Sequence, residues 1–260
     1  MEFNYVPKYP VQTVQKAIDV LLCIQKCDSP DGMTIGEIND QLDLGKSVVH
    51  RVLDTLYAYR FVEKTEKSGA YRLGWGLYEL AQVIPEQHSL NEGVYRKAMN
   101  QLCTEFQETV NLGIYNNGEV VIIRKIEPDR RVRSNIEIGE REPLYATALG
   151  KQFLAVFDQE EVDDYLRHVK LEKLTARTIV EVPQIHEELE RVRKQGYSID
   201  DREFSEDLIC TAVPIRNFQK HVVAAISVSV PENRYTEEKG KKIVAALKAA
   251  AEEISNYLGF

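Results

Sequence analysis

Hydrophobic and polar positions alternate along this chain in two distinct rhythms, and the change from one to the other divides it. In the first third the spacing is helical. Val14, Ala17, Ile18, Leu21 and Ile24 recur every three to four residues, predicting an amphipathic helix over 11–27. Turn residues at 28–32 (DSPDG) end it. Thr34 followed by Glu37 has the spacing of a capping box, and Ile35, Ile38 and Leu42 give a second helix one apolar stripe. Asp43, Leu44 and Gly45 form a turn, with Ser47 read as the N-cap of a third helix. Val49, Val52, Leu53 and Leu56 mark the inward face of that helix. Two short apolar segments, 61–62 and 71–73, flank Ser68-Gly69 and read as a hairpin. Two short helices, a tight turn and a hairpin over residues 34–74 are the pattern of a winged helix-turn-helix, in which one helix, here the third of the chain, enters the DNA major groove.

After about residue 76 the rhythm becomes mixed. A short helix over 77–84 is followed by Pro85, and Leu90, Val94, Ala98, Leu102 and Phe106 mark another helix. Residues 109–115 alternate strictly, with Val110, Leu112 and Ile114 to one side. Asn116-Asn117-Gly118 is a hairpin turn leading to a strand over 119–126. Further strands are predicted over 131–138, 208–215 and 222–230. Helices are predicted over 147–157, 159–168, 183–195 and 236–258, with Gly196 as a C-cap. This order indicates an α+β domain on an antiparallel sheet. The expected organisation is a winged helix-turn-helix domain over 1–75, a linker helix over 76–89 and an α+β domain over 90–260.

Composition narrows the function. Of the 260 residues 43% are hydrophobic, which supports packed cores, and the net charge of −8 argues against a general nucleic-acid coater. The charge is uneven, however. Between residues 46 and 72 there are six basic residues (Lys46, Arg51, Arg60, Lys64, Lys67, Arg72) against three acidic ones (Asp54, Glu63, Glu66). A positive face within an acidic protein suits a phosphate backbone. Outward residues near the start of the third helix are Lys46, Ser47, Val48, His50 and Arg51. Arg51 is read as a donor to guanine or phosphate, Lys46 and Ser47 as phosphate contacts, and Lys64, Lys67 and Arg72 as wing contacts to flanking backbone. A protein-interaction module with solvated charges would share this outline; the agreement of cap, turn and charge favours double-stranded DNA. One such unit covers little DNA, so a homodimer on a two-fold operator is expected.

No apolar run is long enough to cross a bilayer, and the first residues carry no apolar signal-peptide core, so the expected compartment is the cytoplasm. Cys23, Cys27, Cys103 and Cys210 are scattered, which fits reduced thiols. Neither they nor the five histidines have metal-ligand spacing, and no cofactor motif or catalytic signature is present, so no enzyme is indicated.

Several ordered motifs carry a resemblance. PLYATALGKQFLA at 143–155, TART at 175–178, GYSIDDRE at 196–203, CTAVPI at 210–215, and Arg51 with YRLG at 71–74 resemble the IclR-type transcriptional regulators over nearly the whole length. The resemblance implies a GAF-like effector-binding domain behind the winged helix. It also implies a dimer or dimer of dimers, and a small organic, sugar or aromatic acid as the effector. The pocket positions it implies are Ala148, Leu149, Asp200, Leu208, Cys210, Ser227 and Ser229. The chemistry of these residues fits. Small residues at a helix start leave amides open to an anion. Ser227 and Ser229 share one strand face, opposite Ile226, Val228 and Val230. Asp200 can accept from a ligand hydroxyl, and Cys210 is a polarizable wall. Each also has a plainer reading: serines facing water, a core cysteine, an aspartate capping a turn. The arginines at 130, 131 and 133 read as a solvated hairpin or a carboxylate contact. Asp207 stands where the family usually has glycine, which would strain a turn or repel an anion. Two rivals make Cys210 the centre, as a redox switch or as a nucleophile with His221 as base.

Overall fold

The computed structural model describes residues 7–65, 69–81, 92–131 and 133–260. The chain forms two compact units, residues 6–91 and 92–260. Lys67 and residues 82–91, which include the end of the expected linker helix, lie outside the described residues.

The first unit contains α1 (Gln12–Gln25), α2 (Ile35–Leu42), α3 (Lys46–Ala58), β1 (Val62–Lys64), β2 (Tyr71–Leu73) and α4 (Trp75–Ala81). α2 starts with the expected capping box: the Thr34 hydroxyl accepts from the Glu37 amide, and the Glu37 carboxylate accepts from the Thr34 amide at 2.7 Å. Val20, Cys23, Ile24, Ile38, Val49, Leu53, Leu56 and Val62 close a small core. The buried side of α1 thus falls later than the sequence stripe suggested. Val14 and Ile18 are exposed, because α2 and α3 cover only the face carrying Val20, Cys23 and Ile24. Cys23 is a packing residue, its thiol 3.2 Å from Gln41 Oε1. β1 and β2 pair antiparallel, with Glu63 opposite Arg72.

Ser47 is not the N-cap of α3. The helix begins one residue earlier, at Lys46, and Gly45 takes the cap position with φ +84°, conformational space a residue with a side chain enters only under strain. Ser47 therefore lies inside the first turn.

The second unit is built on a six-stranded antiparallel sheet. It contains α5 (Glu92–Phe106), β3 (Thr109–Asn116), β4 (Glu119–Ile126), β5 (Arg141–Pro143), α6 (Ala148–Leu154), α7 (Gln159–His168), α8 (Val182–Gln195), β6 (Ser198–Asp201), β7 (Leu208–Arg216), β8 (Val222–Pro231) and α9 (Glu237–Tyr257). The strand order is β5-β4-β3-β8-β7-β6. Positive φ at Asn117 and Gly118 makes the tight β3–β4 turn. α5 and α9 pack on the sheet with each other, and α6 packs on β6, β7 and β8. The central strands are therefore covered on both faces.

Two elements differ from the sequence reading. The strand expected over 131–138 is irregular where described, and the edge of β4 is taken instead by the short β5, through Glu119–Pro143, Val120–Glu142 and Val121–Arg141 pairs. The polar segment after residue 196, which carries no clear alternation, forms β6 on the opposite edge, pairing Ser198 to Asp201 with Ala212 to Ile209. α6 is also shorter than expected, ending at Leu154. Gly150 is required inside it, since a Cβ there would lie 2.5 Å from the Leu144 carbonyl oxygen.

Candidate functional site

On the first unit, α3 exposes Lys46, Ser47, His50 and Arg51 and leaves Val48 half-buried. Its other face supplies Val49, Leu53 and Leu56 to the core, so the helix is held by one side and free on the other. Lys64 is exposed, its Nζ 5.9 Å from the centre of the Tyr71 ring. Arg72 is engaged: Nε and Nη2 donate to Glu63 Oε2 at 3.2 and 3.0 Å. A phosphate reaching Arg72 competes with that carboxylate.

In the second unit the seven pocket positions converge. Ala148, Leu149, Asp200, Leu208, Cys210, Ser227 and Ser229 line one cavity, with Asn111, Ile136, Glu142, Thr147, Phe204 and Ser205. Strand register brings them together. Asn111 is opposite Ser227, Ser229 is opposite Cys210, and Cys210 is opposite Asp200, so the row crosses four strands on one face. The start of α6 closes over that row. The serines do not face water; Ser227 and Ser229 are 2% and 1% exposed.

The polar atoms are ordered by mutual bonds. Ser229 Oγ accepts from Asn111 Nδ2 and from the Cys210 thiol, both at 3.2 Å. Asp200 Oδ1 accepts from the amides of Glu203 (2.6 Å) and Phe204 (3.2 Å), so Asp200 both caps a turn and lines the cavity. Burial raises its carboxyl to about 7, the Glu203 amide bond acting against this. Burial pushes the Glu142 carboxyl up to about 8, with Glu140 and Asp200 adding negative charge nearby. The cavity measures about 10 Å³, roughly the space of one water molecule.

Three expectations are corrected here. At the start of α6 the Gly150 amide already donates to Thr147 Oγ1 at 3.1 Å, so the first-turn donors are not all open to an anion. Asp207 has no positive φ, is exposed and lies outside the cavity lining; it neither strains the turn nor repels a ligand. Burial, the first cause, raises the Cys210 thiol well above its usual range, the reverse of what a thiolate nucleophile or low-pKa redox switch requires. His221 is exposed at the β7–β8 turn, whereas Cys210 pairs with Ser229 far along the hairpin, so the proposed base is not at the thiol. Arg130, Arg131 and Arg133 are solvated, Arg133 donating to Glu127 at 2.9 Å.

The sequence reading missed Asn111 and Glu142. Asn111 was within reach, since the alternation that turns Val110 and Leu112 to one face turns it to the other, where Ser227 and Ser229 lie. Glu142 carried no signal beyond its place just before the PLYATALGK motif. Also unforeseen is the burial of Lys151. Its ammonium donates to Glu203, to Glu188 at 3.4 Å and to the Ile199 carbonyl at 2.9 Å, anchoring α6 to α8 and to the turn that follows Asp200. The hydroxyls of Thr175 and Thr178 each donate at 2.6 Å, to Arg202 O and Glu203 O, and clamp the same turn from outside.

Known proteins share this architecture. The family model for the bacterial transcriptional regulator IclR C-terminal region matches residues 90–256, and that for the IclR helix-turn-helix domain matches residues 13–66. The HTH-type transcriptional regulator KdgR of Escherichia coli K12 is 33% identical over 251 residues, spanning 95% of this chain and 94% of KdgR. The crystal structure of Thermotoga maritima IclR superposes with a TM-score of 0.78 at 29% identity, over 96% of this chain and 99% of that one. An IclR homolog from Microbacterium hydrocarbonoxydans, solved in complex with 4-hydroxybenzoate, shares the fold with a TM-score of 0.83 at 22% identity, over 95% and 98% of the two chains. With both halves matched in order, the chain belongs to the IclR family of bacterial transcriptional regulators.

Proposed function

We propose that the second unit binds a small organic acid, a sugar acid or aromatic acid among them, in the cavity between α6 and the sheet, and that this binding changes the affinity of α3 and the wing for an operator. The observation that carries the reading is the cavity's polar lining: Asn111 and Glu142 are 1% and 3% exposed, and one oxygen of each has no hydrogen-bond partner among the described residues. Buried polar atoms are normally satisfied, and a ligand that supplies their partners is the economical explanation. The acting assembly is a homodimer or a dimer of dimers in the cytoplasm, each recognition helix reading half of a two-fold site.

A sugar acid is larger than the present cavity, so its walls have to part. Most of the lining stands on paired strands. Ile136 and the Phe204–Ser205 pair stand on irregular segments, which yield at lower cost. The effector can shift the operator equilibrium only by its difference in affinity for the two arrangements.

The test is the double substitution Ser227→Ala with Ser229→Ala, read by operator binding in fluorescence anisotropy and by thermal shift with a panel of organic acids. Operator affinity is expected to be retained while the acid-induced shift is lost. Loss of operator binding in a folded double variant would show that the two units do not divide the work in this way.

A further inference from the structure

We propose that an acidic effector is held in this cavity by a protonated Glu142, carboxyl to carboxylate, and that binding is therefore coupled to a proton rather than to a cation. The proposal rests on the reading of the cavity as the effector site.

The lining is the first observation. Among the described residues it contains two carboxyl side chains, Glu142 and Asp200, and no lysine, arginine or histidine. An organic anion entering it meets no positive charge. The buried ammonium of Lys151, whose charge reaches Asp200, is already engaged by Glu203, Glu188 and the Ile199 carbonyl.

The two carboxyls are provided for differently. Asp200 has two backbone amides on Oδ1, which suit a carboxylate. Glu142 Oε1 is buried without a partner. Two neighbouring carboxyls disfavour its ionisation, Glu140 on its own segment and Asp200 on β6, and the Cys210 thiol on β7, itself pushed up by burial, adds no positive charge. On the α6 side the Thr147 hydroxyl donates to Pro143 O at 2.9 Å and accepts from Gly150, so it has no hydrogen left for Glu142. A carboxyl in these surroundings holds its proton at neutral pH, consistent with a value near 8.

A ligand carboxylate brought to a protonated Glu142 forms an O–H···O⁻ bond, among the stronger hydrogen bonds available. The same ligand brought to an ionised Glu142 would set two negative charges in contact. The proton either is already on Glu142 or comes from solvent as the ligand enters, and no other group gains or loses one. Asn111, with its own unpartnered oxygen, is placed to accept from a ligand hydroxyl.

Isothermal titration of the full-length protein with gluconate, pyruvate and 4-hydroxybenzoate, from pH 6.5 to pH 9 in buffers of different ionisation enthalpy, tests this. Affinity for a binding acid is expected to be about tenfold weaker at pH 9 than at pH 7, with proton uptake approaching one per ligand at the alkaline end. Glu142→Gln, which keeps a donor and cannot ionise, should remove that pH dependence and retain binding at pH 9. A wild-type affinity independent of pH, with no proton taken up, would overturn the proposal and leave the cavity reading intact. A slope abolished by Asp200→Asn but not by Glu142→Gln would overturn the assignment to Glu142. Failure of all three acids to bind at any pH would instead overturn the acid-effector reading on which the proposal stands. Should Glu142→Gln not fold, the wild-type slope and proton count decide alone.

Discussion

At the scale of the residue, burial sets the chemistry. Lys151 is 1% exposed and stands among Glu188, Glu203 and a carbonyl oxygen. Removing the cation takes the ammonium from the buried Glu203 carboxylate and leaves Glu188 only its pair with the exposed Arg191, so Lys151→Met is expected to lower stability by about 3–5 kcal/mol in urea unfolding. Cys210 should be inert in the folded state, and a thiol reagent such as DTNB should modify it only at the rate of unfolding; fast modification of native protein would contradict its burial. The carboxyls give a pH signature with a definite sign. Glu142 and Asp200 have folded-state values near 8 and 7, against ordinary values of 4.5 and 3.8. The native protein thus holds protons that the unfolded chain has released. Their stabilising contribution is complete below about pH 4 and is lost as the pH rises through 7 to 8. Urea midpoints measured from pH 5 to pH 8 should fall, and Glu142→Gln should flatten the decline.

At the scale of the element, local signals that complete themselves within a few residues were legible in the sequence. Thr34 with Glu37 gave the start of α2, Asn117-Gly118 the β3–β4 turn, and Gly196 the end of α8. Thr34→Ala should cost about 0.5–2 kcal/mol, read as a lowered denaturation midpoint of the first unit. Elements stabilised by distant partners were less legible. β6 is a strand because β7 offers an edge to Ser198–Asp201, and nothing in that polar tetrapeptide announces it. Residues 131–138 look extended, yet the β4 edge is taken by residues 141–143. Ser47 has a good capping side chain, but the backbone turn at Gly45 starts the helix first. The candidate cavity divides in the same way. The motifs supplied seven of its wall residues through a family resemblance. Glu142 joins the wall because β5 lies beside β4, which no local signal announces. The alternation of β3, by contrast, already turns Asn111 to the face opposite Val110 and Leu112, and its pairing with Ser227 on β8 places it in the cavity.

At the scale of the whole molecule, the reading assigns recognition of DNA and recognition of an effector to separate units, so their variants should separate too. Arg51→Ala should weaken operator binding by about 1–3 kcal/mol if the guanidinium reads a base, while leaving the acid-induced thermal shift unchanged. Loss of both responses in a folded variant would contradict the separation. No helix among the described residues is long and apolar enough to cross a membrane. Within the second unit, the central strands carry two messages in alternate residues. Val110, Leu112, Ile226 and Val228 are wholly buried toward one side, while Asn111, Ser227 and Ser229 belong to the other. Because neighbouring residues on a strand point oppositely, a substitution at an odd-numbered position here rewrites what the cavity accepts without disturbing the packing of its even-numbered neighbours. Such a scaffold can diverge toward new signals one residue at a time, and descendants of one ancestor can come to answer to different molecules while remaining superposable.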